Sequence, residues 1–348
     1  MKVEFMTEQG ENTLQKKQGK QSIVFAVPPY VTGTANIVGP MEGQGLLASY
    51  YDKIMEDTIG QHPSWEKCES FMLEWAVKEA VAKDSSQMDE IDYILAGDLL
   101  NQLMSTHFAM RSLGRPFLGL YGACSTLAEG LLLGSVLLDG GFGNKVAVGV
   151  SSHHDAAERQ YRFPTEQGVQ RPPISQWTVT GAAGTVLSLT GQGPRITVAT
   201  VGKIVDLGIK DPNAMGPAMA PAAVDTLWQH IQDTGRQPAY YDMIYTGDLG
   251  RVGKKLVIQL MQEKGLDITA NYEDCGCMIY RGEQDTQSGA SGCASSGIVF
   301  TGYLYRQLQA GNLKKILLMG TGSLHSTTSY QQKESIPCIA HAVAIEAE

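Results

Sequence analysis

No apolar run in the 348 residues approaches the ~20 that a membrane-spanning helix needs. LLLGSVLL at 131–138 is short and sits beside glycines. The opening MKVEFMTEQGENTLQKKQGKQ is polar and has no apolar signal core, so secretion is not expected. Cysteine is sparse: six residues, at 68, 124, 275, 277, 293 and 338, are irregularly spaced. That excludes a disulfide scaffold and points to a reducing, cytoplasmic setting. Basic residues are in deficit, 27 against 36 acidic, for a net charge of −9. A general nucleic-acid binder needs the opposite balance to neutralise phosphates. There is no Walker-type loop and no Gly-x-Gly-x-x-Gly after a strand, which leaves nucleotide chemistry without support. Cys275-Gly276-Cys277 has no second ligand pair at metal spacing, and the seven histidines form no His-Glu-x-x-His.

What is present is a chain with 43% hydrophobic residues, enough for a sizeable core. Its 39 glycines exceed the ~7% of average usage and imply tight turns and close backbone approaches. After an N-terminal arm over residues 1–20, short apolar runs alternate with helical patterns. Strands are expected at 92–97, 116–122, 145–150, 184–189, 196–201, 241–247, 315–320 and 339–345. A helix is expected where Leu73, Ala76, Val77, Ala80 and Val81 recur at helical spacing. This alternation predicts layered α/β architecture.

The chain also repeats itself. Asp92-Tyr93-Ile94-Leu95-Ala96-Gly97-Asp98-Leu99 returns as Tyr241-Asp242-Met243-Ile244-Tyr245-Thr246-Gly247-Asp248-Leu249. Gly122-Ala123-Cys124-Ser125-Thr126 returns as Gly292-Cys293-Ala294-Ser295-Ser296. Strands beginning at Lys145 and Lys315 then run into polar loops holding His153-His154 and His325. Two similar halves, 21–190 and 191–348, follow from that conserved order of features.

Cys124 follows an apolar strand and opens a helix from Ser125 to Leu138 with Glu129 as its sole charge, so the helix is expected to be buried. The positive end of a helix favours thiolate there, or a bound carboxylate; a small core cysteine is the plain alternative.

This duplicated body with a Gly-Ala-Cys-Ser-Thr turn resembles the thiolase and ketoacyl-synthase superfamily, and Thr180-Gly181-Ala182-Ala183-Gly184-Thr185-Val186 is similar to the strand that ends the first half in ketoacyl synthases. Within it, the segments 96–102, 151–153, 157–160, 218–223 and above all 331–341 resemble a family of sporulation proteins, from about residue 20 to the C-terminus. The resemblance implies a five-layer α/β/α/β/α fold with internal duplication, a homodimer, and no cofactor or resident metal. It also implies a soluble partner of a sporulation membrane complex, peripheral to the forespore inner membrane. Such a protein binds pyridine-2,6-dicarboxylate (dipicolinate), free or as its calcium chelate, for movement into the forespore.

The enzyme reading demands a base beside the thiol and an oxyanion hole. At the family's first histidine turn stands Gly247-Asp248-Leu249-Gly250, and Ser288 to Cys293 contains neither the histidine nor the asparagine expected next. Pro337 removes an N–H from the stretch that leads into the last strand. Binding is therefore favoured over acyl transfer, with a pure scaffold as a third class. The candidate ligand-binding set is Cys124, His153, Arg159, Arg162, Asp248, Ser291 and His341, with no residue assigned to catalysis. A planar dianion calls for guanidinium or helix N-terminal donors and apolar walls. His153 is placed at a strand end, Arg159 and Arg162 on one helical side, and Asp248 near the site through its match to the missing histidine.

Overall fold

The computed structural model describes residues 16–161 and 171–347. The first half contributes five core strands: β1 (Tyr30–Val38), β2 (Tyr93–Gly97), β3 (Phe117–Gly119), β4 (Lys145–Ser152) and β5 (Gly181–Ser188). The second half repeats them as β6 (Arg195–Thr200), β7 (Met243–Thr246), β8 (Tyr272–Asp274), β9 (Lys315–Ser323) and β10 (Cys338–Glu346). Their spatial order is β8-β7-β9-β10-β6-β1-β5-β4-β2-β3, a palindrome about the β6–β1 contact. That contact is a single pair, Arg195 with Tyr30. In each half the outer strands are parallel and the inner ones antiparallel. The duplication read from the motifs is thus a duplication of topology.

Helices fill three layers. On the outer face of the first half lie α1 (Trp65–Lys83) and α2 (Met104–Leu113). Leu73, Ala76, Val77, Ala80 and Val81 of α1 are all buried, each full burial being worth up to ~1.5–3 kcal/mol for the larger side chains. The helix lies unusually low on the sheet. A Cβ at Gly184 would stand 2.3 Å from the Ala76 carbonyl, and one at Gly33 2.2 Å from the Ala80 carbonyl. Between the halves run α3 (Thr126–Asp139), against β4, β9 and β10, and α7 (Cys293–Ile298), against β4 and β5. In chain order α4 (His154–Tyr161), α5 (Met215–Thr234) and α6 (Gly250–Glu263) fall between those two, with α5 and α6 closing the far face. The result is five layers, α/β/α/β/α. Among the described residues no helix is long and apolar enough to cross a membrane.

Two elements differ from expectation. The run Tyr30–Val38 is a central strand although Thr32, Gly33, Thr34 and Asn36 interrupt its apolar pattern. Of residues 1–20, expected as an arm, Lys17–Gln18 pairs with Ser22–Val24, which lies against β6. The Asp233 carboxylate holds this turn by accepting the N–H groups of Lys20, Gln21 and Ser22, an anchor more than 200 residues away that local composition does not reveal.

Candidate functional site

The site forms where α3 and α7 begin. After β3 the chain turns through Ala123, whose φ of 49° is left-handed, a costly conformation for a residue with a Cβ. A short 3₁₀ turn, Ala123–Ser125, then feeds α3 with Cys124 buried at its centre. The Thr126 hydroxyl and the Cys293 thiol both donate to the Ala123 carbonyl, at 2.6 and 3.0 Å, so the two helix starts are tied together. Gly292 precedes α7 at φ 106°, and a Cβ there would lie 2.8 Å from Ser152 Oγ. Only glycine suits that turn.

Asp248, in the loop after β7, is buried against this junction. Its Oδ1 accepts the Thr321 hydroxyl at 2.8 Å and its Oδ2 the Gly292 N–H at 3.0 Å. The Cys124 thiol lies beside the same carboxylate and is coupled to it electrostatically. Gln176 fixes the loop by donating to the carbonyls of Asp248 and Ala290, both at 2.7 Å. Burial pushes the Asp248 carboxyl up to about 6, against the pull of its donors. Burial first, then the charges of Asp248 and Cys293, hold the Cys124 thiol well above its ordinary range. The expectation that the helix end favours thiolate is therefore reversed. Desolvation and a neighbouring carboxylate outweigh the roughly 0.3–1 kcal/mol typical of a helix dipole. Cys124 is a neutral thiol beside the Asp248 carboxylate.

Above Cys124 opens a cavity of about 450 Å³. Leu99, Met215, Ile204, Leu324 and Ile339 give it apolar walls, and Tyr121, Tyr161 and His325 add aromatic surface. Ser291 and Ser323 bring hydroxyls, and Glu158 a buried carboxylate 3.8 Å from Arg171. No lysine or arginine lines it among the described residues.

Of the residues singled out from sequence, Cys124 and Ser291 line this cavity, and Asp248 stands behind the thiol. Three others lie elsewhere. His153 turns its ring to the Thr58 carbonyl at 2.5 Å, and burial lowers its pKa. His341 accepts the Gly202 N–H at 3.1 Å, with burial pushing it down to about 4. Arg159 pairs with Glu66 and covers the Trp65 ring at 5.2 Å. On α4, Ala157, Glu158 and Tyr161 face the cavity, which turns Arg159 outward. Arg162 lies outside the described residues. Unforeseen contributors are Tyr121, Glu158 and His325 in the wall and Gln176 and Thr321 behind it. The motif repeat already marked His325 as the counterpart of the His153 loop. Among the described residues no group of three or more His, Cys, Asp or Glu side chains is placed to hold a metal ion.

Comparison with known proteins completes the description. Residues 19–346 match the family model of stage V sporulation protein AD. The chain is 44% identical over 331 residues to stage V sporulation protein AD of Bacillus subtilis, covering 95% of this chain and 98% of that one. Its fold is similar to OleA of Xanthomonas campestris, solved with bound lauric acid and lauroyl-CoA (TM-score 0.60, 14% identity, 92% of this chain and 99% of that one). It is also similar to 3-oxoacyl-[acyl-carrier-protein] synthase III of Aquifex aeolicus (TM-score 0.52, 12% identity, 91% and 99%). At such identities these two likenesses speak for the fold alone.

Proposed function

Because the chain belongs to the stage V sporulation protein AD family, it is a sporulation protein, and we propose that it binds dipicolinate in the cavity over Cys124 instead of transferring acyl groups. One observation carries this reading: the thiol at the family's nucleophile position lies against a carboxylate, Asp248, whose negative charge disfavours thiolate, where an acyl-condensing enzyme needs a group that stabilises the ionised sulfur. Asp248 raises the thiol's pKa and so keeps the sulfur protonated. A cavity of this size suits a single ring bearing two carboxyl groups. The Ser291 and Ser323 hydroxyls supply donors for an oxygen-rich ligand.

Charge refines the reading. Asp248 repels a free dianion, whereas a one-to-one calcium chelate is neutral and escapes that cost. The chelate is therefore the favoured form. In the same proposal the chain works as a soluble partner of sporulation membrane proteins at the forespore inner membrane. It is also a homodimer: β3 ends the sheet order, and Met104, Phe108 and Leu118 beside that edge are exposed, which suits pairing with a second copy.

Calorimetry with sodium dipicolinate, with and without calcium, tests the binding. Saturable one-site heat that disappears when the cavity is filled by Ser291→Trp supports it. Incubation with an acyl-CoA followed by intact mass tests the competing enzyme: a stable acyl adduct on Cys124 overturns the binding-only reading.

A further inference from the structure

We propose that His325 is the residue that reads a carboxylate of the ligand, as the side chain in the described cavity wall able to carry positive charge. This rests on the binding function proposed above and names the group that gives it selectivity.

The assignment follows from where the other cations went. Arg159 is committed to Glu66 and Trp65 on the outer surface, and no lysine or arginine is found among the described lining residues. Of the other histidines, His230 is locked between the Thr200 hydroxyl at 2.7 Å and the Tyr241 hydroxyl at 2.6 Å. His153 and His341 are buried away from the cavity, and His154 stacks on Trp177 at 3.8 Å. His62 and His107 pack on Phe71 and Phe117. His325 alone among the seven faces the cavity.

Its setting suits the task. The loop that carries it leaves β9 and is held by the Leu324 N–H donating to the Pro337 carbonyl at 2.9 Å. Tyr161, at the end of α4, meets the imidazole edge-on with ring centres 6.4 Å apart, fixing its plane. The Tyr161 hydroxyl is in turn 3.2 Å from that of Tyr121. His325 is half-buried and also borders a small surface groove, so it can exchange protons with water, unlike His341. Among the described residues the titratable groups around it are Glu158, Tyr161, Tyr121 and Cys124 on the cavity side, with Lys210, Tyr330 and Glu334 on the groove side. A protonated His325 forms a charge-assisted bond to a carboxylate that the neutral ring makes only weakly.

Sodium dipicolinate binding, measured by calorimetry from pH 5.5 to 8, tests this. Free carboxyls titrate near ~4, so the ligand stays ionised across that range. Wild-type affinity is expected to fall about tenfold between pH 5.5 and pH 8. His325→Gln binds about tenfold more weakly at pH 5.5 with a flattened slope, while His325→Lys still binds at pH 8. Asp248 also titrates in this window, so the proof lies in the change of slope between variants. By NMR, saturating ligand raises the pKa of the His325 imidazole, a readout that a purely structural histidine would not give. Wild-type binding that His325→Gln leaves unchanged in strength and slope overturns the assignment and leaves the function standing. Absence of wild-type binding at every pH, both with and without equimolar calcium, defeats both.

Discussion

Asp98 and Asp248 stand at the same step of the two halves, each directly after a glycine at the C-terminal end of a parallel strand, yet they make different bonds. Asp98 stays local: it accepts the Leu100 N–H at 2.7 Å and the N–H and hydroxyl of Thr106 at 2.7 and 2.6 Å. Asp248 turns across to Thr321, Gly292 and Cys124. The local duty in the second half passes to Asp274 at the end of β8. It accepts the N–H groups of Leu249 and Gly250 at 2.8 and 2.9 Å and the Thr246 hydroxyl at 2.7 Å. Asp274 thereby frees Asp248 to reach the site.

Asp274→Ala should therefore destabilise the protein strongly. It strands two buried N–H groups at the turn that positions Asp248, each costing about 1–3 kcal/mol. A loss of about 3 kcal/mol or more in denaturant unfolding is expected. A change below about 1 kcal/mol would show that the loop holds itself.

Asp248→Asn tests the carboxylate in a different way. The folded-state pKa, about 6, lies above the ordinary 3.8. The wild-type group's contribution is thus complete below ~4 and is lost as pH rises through 6. Relative to wild type, the variant should gain stability between pH ~4 and ~6 and then level off, by about 3 kcal/mol for two pKa units. Thermal unfolding at matched ionic strength measures this. A difference that does not vary with pH would mean that Asp248 stays ionised throughout.

Much of the fold was visible in the chain because continuous apolar runs mark strands buried on both faces, as at Lys145–Ser152 and Lys315–Ser323. Tyr30–Val38 escaped because its polar and small residues are satisfied by distant partners: Asn36 exchanges hydrogen bonds with Asp52, and Thr34 donates to Thr301. Cys124 and Asp248 were legible through the family resemblance, Cys124 standing in the turn of the family's nucleophile and Asp248 in the turn where the family's histidine is missing. The cavity wall was not. Whether Arg159 or Glu158 faces inward depends on the rotation of α4 about its axis, and His325 arrives on a loop whose path is set by Pro337.

Cys124 should prove a poor nucleophile despite facing an open cavity. Thiolate is the reactive form, and here burial and Asp248 both oppose it. At pH 8, iodoacetamide is expected to label Cys124 far more slowly than a free cysteine, and Asp248→Asn should accelerate the reaction by removing a nearby negative charge. Peptide mass mapping over time checks both. Rapid wild-type labelling would mean that the sulfur is ionised and would reopen the case for acyl chemistry.

Arg159→Ala separates the surface of α4 from its inner face. The guanidinium is about half exposed and bound to Glu66, a setting in which ion pairs contribute roughly 0–1 kcal/mol. Its cover over Trp65 adds a similar amount. The variant should lose at most about 2 kcal/mol of stability and keep wild-type affinity for dipicolinate. Glu158→Gln, one residue earlier and facing the cavity, should instead alter affinity, tightening the free dianion by removing a like charge and loosening the calcium chelate. A fall in affinity with Arg159→Ala alone would place the guanidinium in the ligand's reach and require α4 to turn when the ligand binds.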